Sequence, residues 1–311
     1  MVDALNSTKW LTIRILARMH SIAQMRREYM SELRKTITHT DSGKSISADL
    51  DRPIPHTEFP YGFLRIEDPS DEPLVYLDDE FECDSDYYHW KEIGGKPLPG
   101  SSPSIMARQT VRDMLHRAED MLPEGYHFRI LDAYRPIAVQ QALWDHYSAQ
   151  LRAEMPELTE EELDMHTRTC VSMPSYDVLQ PSIHNTGGAV DLTIIGPDGE
   201  PLDMGTSFDA FSDATWTDYF DPGRGHDTEA GDTTTESDAQ DTAAESSVND
   251  TANIAARKNR RMLYNVMTAA GFTNLPSEWW HYDYGDNMWA QLTGGKTIYA
   301  GILDADVRGK V

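Results

Sequence analysis

The sequence predicts an α+β fold. Helical and strand-like hydrophobic patterns are mixed along the chain, and they do not follow the regular strand–helix alternation of a parallel α/β sheet. A chain of 311 residues with 39% hydrophobic content is long enough to bury a substantial core. We therefore expect a folded enzyme-sized domain built on a central sheet with flanking helices.

The first hundred residues are predicted to form a helix and an irregular extension that packs on the core. Apolar residues recur at helical spacing from Trp10 to Ile22, whereas 52–99 are rich in proline, aromatic and acidic residues. Arginines interrupt the apolar stretch near the N-terminus, so neither a secretory signal nor a membrane span is indicated. The sequence thus favours a cytoplasmic protein.

The main domain is predicted over 101–311, with its elements in a defined order. Pro136 suits the first turn of a helix, and Thr159 with Glu162 fits a capping box. Gly271 can end a helix. The predicted order is a helix over 107–122, a buried strand over 128–134, helices from Pro136 and near Thr159, a strand over 189–195, a helix over 262–270 and a last strand over 298–303.

One segment, 221–253, differs from everything around it. It contains Asp, Glu, Thr, Ser and Ala but scarcely an aliphatic residue, so it buries too little apolar surface to offset its ordering entropy. The sequence predicts a disordered acidic insertion that interrupts the main domain. A surface loop without a partner is the preferred interpretation, and a binding segment is the alternative.

Charge and cysteine content exclude several classes of protein. The chain has 52 acidic and 27 basic residues, a formal net charge of −25, so phosphate backbones would repel it and nucleic-acid binding is not expected. The acidity is consistent with either solubility or a salty cell interior. Cys83 and Cys170 are the only cysteines and form no CxxC pair, which indicates neither a disulfide framework nor a thiolate zinc site.

Two motifs carry metal-ligating side chains. In SIHNTGGAVD, His184 and Asp191 are joined by a glycine-containing turn that would let the two side chains converge. In SEWWHY, Glu278 and His281 lie three residues apart among large aromatic residues. Together the motifs offer two imidazoles and a carboxylate for one divalent ion, with Glu278 left over to accept a proton from water. This is the pattern of a catalytic zinc site rather than a closed structural one.

A third motif, DAYRP, places Arg135 at the end of a predicted strand. Its guanidinium could stabilise the oxyanion that forms when water attacks a carbonyl, or it could pair with Asp132. The remaining histidines fall in no ligand-like spacing and are predicted to have surface or core roles.

The three motifs resemble those of the D-alanyl-D-alanine dipeptidases, zinc enzymes of the hedgehog/D,D-peptidase fold. SIHNTGGAVD is similar to the family's SxHxxGxAxD motif, SEWWHYDYG to its ExxH segment and DAYRP to its arginine motif, over about 108–285. The resemblance implies a mostly antiparallel central sheet and one Zn²⁺ per chain.

The resemblance also implies a role for each site residue. It implies that His184, Asp191 and His281 bind zinc, that Glu278 is the general base and that Arg135 stabilises the transition state. The implied substrate is D-Ala-D-Ala, a small dipeptide that would be hydrolysed to two D-alanines. The stretch DMGTSFD ends at Asp209, the implied partner of the substrate ammonium, and Ser182 is a candidate for substrate contact or for capping the turn.

Two other functions remain open at this stage. A D,D- or L,D-carboxypeptidase that acts on peptidoglycan stem peptides would share the zinc motif, although such enzymes typically work outside the membrane. A zinc-binding module without catalysis would keep the fold, but a purely structural metal needs neither Glu278 nor Arg135.

Overall fold

The computed structural model describes residues 47–60, 62–222 and 242–303. The predicted helix near Trp10 lies outside these residues. Within them, five α-helices and seven short strands form an α+β fold, as predicted. The helices, numbered in chain order, are α1 Gln109–Glu119, α2 Ile137–Glu154, α3 Glu160–Cys170, α4 Thr242–Ala270 and α5 Asn287–Thr293. The strands are β1 Leu74–Tyr76, β2 Glu82–Cys83, β3 Met106–Arg108, β4 His127–Asp132, β5 Ala189–Ile195, β6 Thr273–Asn274 and β7 His281–Asp283.

The central sheet has five strands in the order β2-β4-β5-β7-β6. Only the β2–β4 pair is parallel, so the sheet is mostly antiparallel, as expected. Strands β1 and β3 form a separate antiparallel pair. Because β2 comes from before residue 100, the first hundred residues contribute directly to the central sheet.

The core lies between the sheet and helices α1 and α4. All seven residues of β5 are buried. Val190, Leu192 and Ile194 belong to the core, whereas Asp191 and Thr193 alternate with them and lie on the opposite face of the sheet. Apolar residues of α1 and α4 pack on the core face, as the sequence periodicity predicts. These buried residues are Val111, Met114, Leu115, Leu263, Val266 and Met267. A second apolar cluster joins α2 to the irregular segment 87–98, through Trp90, Leu143 and Tyr147 among others.

Two predictions about element bounds are wrong. Residues 298–303 form no strand, because their amide groups bond to loop carbonyls instead of a neighbouring strand: Ile298 N donates to Gly285 O and Gly301 N to Val178 O. The predicted disordered insertion is too long at both ends. Helix α4 already begins at Thr242 and Asp221 is a buried ion-pair partner of Arg261, while 223–241 lie outside the described residues.

Candidate metal centre and active site

Strand register brings the candidate metal ligands together. His184 lies on a 3-10 turn, Ile183–Thr186, that ends at Gly187 with φ 72°, a left-handed conformation that suits glycine. Strand β5 then carries Asp191, which is paired directly with His281 of β7. At Gly188 a Cβ atom would lie 2.4 Å from the carbonyl oxygen of Tyr284, so this position requires glycine.

The three side chains converge on one buried point. His281 Nδ1 lies 2.9 Å from Asp191 Oδ1 and 3.1 Å from His184 Nε2, and His184 Nε2 lies 3.3 Å from Asp191 Oδ2. Each of the three residues is less than 9% exposed. All possible ligand atoms of this group lie within 4.8 Å of one another.

The donor set fits a divalent transition metal. Metal–ligand bonds of about 2.0–2.1 Å in a tetrahedron place neighbouring ligand atoms about 3.3 Å apart, close to the separations observed. His184 Nε2 and His281 Nδ1, 3.1 Å apart and each close to the Asp191 carboxylate, are near enough for one cation to bind all three side chains. The predicted trio could therefore hold a metal ion.

The outer nitrogens of both histidines are fixed by further contacts. His184 Nδ1 lies 2.8 Å from the carbonyl oxygen of Ala133, and His281 Nε2 lies 2.8 Å from Asp283 Oδ1. These contacts leave His184 Nε2 and His281 Nδ1 directed at the metal position, which is the usual arrangement of metal-binding histidines. Asp283 is fully buried and lies beside Asp286; burial and the Asp283 charge raise the pKa of Asp286 well above its ordinary value.

Electrostatics at the trio favour a charged carboxylate. Burial alone would raise the pKa of Asp191, but the two imidazoles beside it hold that pKa well below the ordinary value. Burial alone would likewise lower the pKa of His281, yet the Asp283 and Asp191 carboxylates raise it well above its ordinary value. The site is thus already arranged around a positive charge.

Glu278 reaches the centre from the turn before β7. Its Oε2 lies 3.9 Å from His281 Nδ1, and its side chain remains 37% exposed to the cavity. Loss of water around the carboxyl raises its pKa, whereas the nearby histidines and Arg135 act in the opposite direction. A carboxyl with a raised pKa beside a metal position is well suited to accept and return a proton.

Arg135 is buried and held from several sides. Its Nε and Nη2 donate to Asp132 Oδ2 at 2.8 Å, Nη1 donates to Gln140 at 3.0 Å, and Nη2 donates to the Tyr87 hydroxyl at 3.1 Å. Nη2 also lies 3.7 Å from Asp191 Oδ2. The two interpretations of Arg135 therefore coexist, because the guanidinium pairs with Asp132 and also lines the cavity beside the metal position.

The cavity in front of the trio has a volume of about 210 Å³. Asp209 lines it, with φ 56°, a backbone conformation uncommon for a residue other than glycine. Burial, together with the Glu278 charge, raises the pKa of Asp209 to about 8. Ser182, in contrast, is not among the cavity-lining residues, and its buried hydroxyl makes no hydrogen bond within the described part of the chain.

Comparison with known families matches the geometry. The profile of a family described as D-Ala-D-Ala dipeptidase matches 73–221 and 225–294, a span that contains every candidate site residue. The chain belongs to this family of peptidases. D-Ala-D-Ala dipeptidase family membership confirms the expected hedgehog/D,D-peptidase-like fold and makes the chain a hydrolase of the peptidase class.

Individual proteins similar to this chain bear the same name as the family. A D-alanyl-D-alanine dipeptidase of Synechocystis is 29% identical over 242 residues, covering 74% of this chain and 89% of the relative. The D-alanyl-D-alanine dipeptidase of Escherichia coli is 24% identical over 212 residues, covering 68% and 82%. That of Enterococcus faecalis is 27% identical over 206 residues, covering 64% and 83%.

Sequence reasoning missed two residues of this D-Ala-D-Ala dipeptidase family site. Tyr87 lines the cavity and accepts a hydrogen bond from Arg135. The sequence allows its segment, YYHW, to line a pocket but favours core packing, so it does not single out Tyr87 as a site residue. Asp283 could have been found, because residues two apart on a strand share a face and Asp283 follows His281 by two.

No helix in the described residues is long and apolar enough to cross a membrane.

Proposed function

We propose that this chain is a zinc-dependent dipeptidase that hydrolyses D-alanyl-D-alanine to two D-alanines. The observation that carries the proposal is the convergence of His184, Asp191 and His281 on one point, with Glu278 and Arg135 beside it in the same cavity. The similarity to three D-alanyl-D-alanine dipeptidases supports the choice of substrate.

Zinc fits the donor set, and His184, Asp191 and His281 would hold it. When bound, zinc supplies Lewis acidity that polarises the scissile carbonyl and makes water a better nucleophile near neutral pH. Two neutral imidazoles and one carboxylate leave a net positive charge at such a site, which suits an electron-rich transition state.

The residues of the chain perform the proton transfers. Glu278 takes a proton from the attacking water and then delivers it to the nitrogen of the leaving D-alanine, so the C–N bond breaks as an amine departs. Arg135 remains charged throughout and places its guanidinium where negative charge develops on the carbonyl oxygen. Its contacts with Asp132, Gln140 and Tyr87 hold that group in place before substrate arrives.

Asp209 gives the cavity a preference for a free amino terminus. It lines the cavity, and as a carboxylate it would accept hydrogen bonds from the substrate ammonium. This distinguishes a dipeptidase from a carboxypeptidase, whose longer substrates carry no ammonium near the scissile bond.

The test is release of D-alanine from D-Ala-D-Ala by the purified protein, before and after removal of metal and after zinc is restored. We expect release that is lost with a chelator and recovered with zinc. Glu278→Gln should lower kcat by about 100-fold or more while zinc still binds, whereas the exposed control Glu124→Gln should match the parent. Unchanged turnover by Glu278→Gln would show that another base does the work.

A matched pair of substrates separates this proposal from a carboxypeptidase. The dipeptidase should cleave D-Ala-D-Ala in strong preference to an N-acylated tripeptide that ends in D-Ala-D-Ala. Equal or greater activity on the blocked tripeptide would contradict the dipeptidase assignment.

A further inference from the structure

Arg260 is a fully buried cation outside the metal centre. It lies on α4, is 1% exposed, and donates three hydrogen bonds of 2.7 Å to the main-chain carbonyl oxygens of Met204, Ala214 and Trp216. A buried guanidinium is unfavourable unless its donors are satisfied, so these three contacts are strongly constrained. Arg260 therefore fixes main-chain positions rather than another side chain.

The three carbonyls lie on both sides of Asp209 in the sequence. Met204 precedes it by five residues, and Ala214 and Trp216 follow it by five and seven. We call 204–216 the recognition loop. Its path includes the left-handed conformation at Asp209, φ 56°, which persists only where surrounding contacts impose it. By holding both ends of the loop, Arg260 imposes that path.

The recognition loop also contacts the turn that carries Glu278. Trp279 Nε1 donates to Thr206 Oγ1 at 2.8 Å, and Trp279 N donates to Thr215 O at 3.1 Å. The Arg260 guanidinium lies 5.9 Å from the centre of the Trp279 ring and 4.7 Å from that of Phe220. The loop is thus held between a rigid catalytic turn and a buried cation.

We propose that Arg260 is a positioning residue for substrate recognition, acting through the recognition loop to direct the Asp209 carboxylate at the substrate ammonium. This inference rests on the proposed dipeptidase function. It assigns Arg260 to substrate binding and not to the chemical step, because Glu278 has its own main-chain anchors: Glu278 N donates to Leu275 O and Asn274 donates to Glu278 O.

Arginine is required here because three carbonyls must be bound at fixed angles. The planar guanidinium has five donors in a rigid fork, whereas a lysine ammonium is a point charge on a flexible chain. Lysine at this position would keep the charge but could not hold all three carbonyls in the same geometry. Arg260→Lys therefore loosens the loop without leaving an empty core.

The experiment compares kcat and KM of the zinc-loaded full chain for D-Ala-D-Ala in the parent, Arg260→Lys and Arg260→Met. We expect KM to rise about 10-fold or more in both variants, with kcat within about 2-fold, since a charged hydrogen bond to the ammonium is misplaced. Zinc content and zinc affinity, measured independently of turnover, should equal those of the parent. The matched control is Arg261→Lys, because the neighbouring Arg261 pairs with Asp221 and Asp51, which lie outside the recognition loop.

A double-mutant cycle with Asp209→Asn tests the route of the effect. If Arg260 acts through Asp209, Arg260→Lys should change KM by less than about 2-fold once Asp209 is already Asn. Equal effects in both backgrounds, a loss confined to kcat, or loss of zinc binding or of the folded state in both variants would overturn the proposal. Failure of the parent to release D-alanine would instead overturn the dipeptidase function, so the two failures are distinguishable.

Discussion

Asp209, the proposed partner of the substrate ammonium, lowers the stability of the fold. Its side chain is half-buried in the cavity near Glu278, and its backbone has a left-handed conformation. An ionised group in such a place destabilises the fold, although the proposed binding of the substrate ammonium requires it.

The pH dependence of stability should reveal this cost. The pKa of Asp209 is raised to about 8, so between pH 4 and 8 the folded chain binds more protons at this carboxyl than the unfolded chain does. The contribution of the Asp209 carboxyl to the free energy of unfolding is therefore complete at low pH and is lost as the pH rises towards 8. In metal-free protein, Asp209→Asn should melt above the parent at pH 8.5 by at least about 2–4 °C, with a smaller difference at pH 5. An exposed control, Asp198→Asn, should show no such trend, and a trend of the opposite sign would contradict the raised pKa.

Asp283 is a second single residue with a testable effect, here on the proposed metal ligand His281. Its carboxylate lies 2.8 Å from His281 Nε2, a contact that would set both the orientation and the basicity of His281 as the proposed metal ligand. Asp283→Asn keeps the shape but removes the charge, so we expect zinc affinity to fall about 10- to 100-fold. Competition with a chromophoric chelator measures this without turnover. Asp120→Asn, at an exposed position, is the control. An unchanged zinc affinity in Asp283→Asn would mean that the Asp283 charge has no effect on metal binding.

At the scale of helices and strands, the sequence predicts those bounds that depend on residues close together in the chain. The strand over 189–195 has the predicted bounds, and the capping box of Thr159 and Glu162 is present at the start of α3. Residues 298–303 look like a strand but bond to loops, and α4 begins at Thr242, inside the segment predicted to be disordered. The first error arises where tertiary partners decide the structure, as they also do for Tyr87.

The capping box offers a test that separates element stability from catalysis. Thr159 accepts a hydrogen bond from Glu162 N at 3.3 Å, and the Glu162 carboxylate accepts one from Thr159 N at 2.9 Å. Thr159→Ala should lower the free energy of unfolding by about 1 kcal/mol, while Thr159→Ser restores most of it. Denaturant titration measures the change. Activity on D-Ala-D-Ala should be unaffected, because Thr159 lies at the end of α3 opposite to Cys170, which lines the cavity.

At the scale of the whole molecule, the dominant property is charge. The net charge of −25 comes from 52 acidic residues against 27 basic ones, a sum that already includes ion pairs such as Arg112 with Glu80. Like charges that remain at the surface repel one another more strongly in the compact state than in the expanded chain. This repulsion opposes the compact state, and its strength depends on ionic strength.

Salt should consequently stabilise the protein. The Debye length falls from about 10 Å at 0.1 M to about 3 Å at 1 M, so most repulsion between surface charges is screened over this range. We expect the melting temperature of the zinc-loaded protein to rise by several degrees from 0.05 to 0.5 M NaCl and then to level off. Sucrose at matched osmolality is the control, because it stabilises by exclusion from the surface and not by screening. A melting temperature that is flat or falling in NaCl would show that attractive ion pairs, and not net repulsion, dominate the electrostatics of the fold.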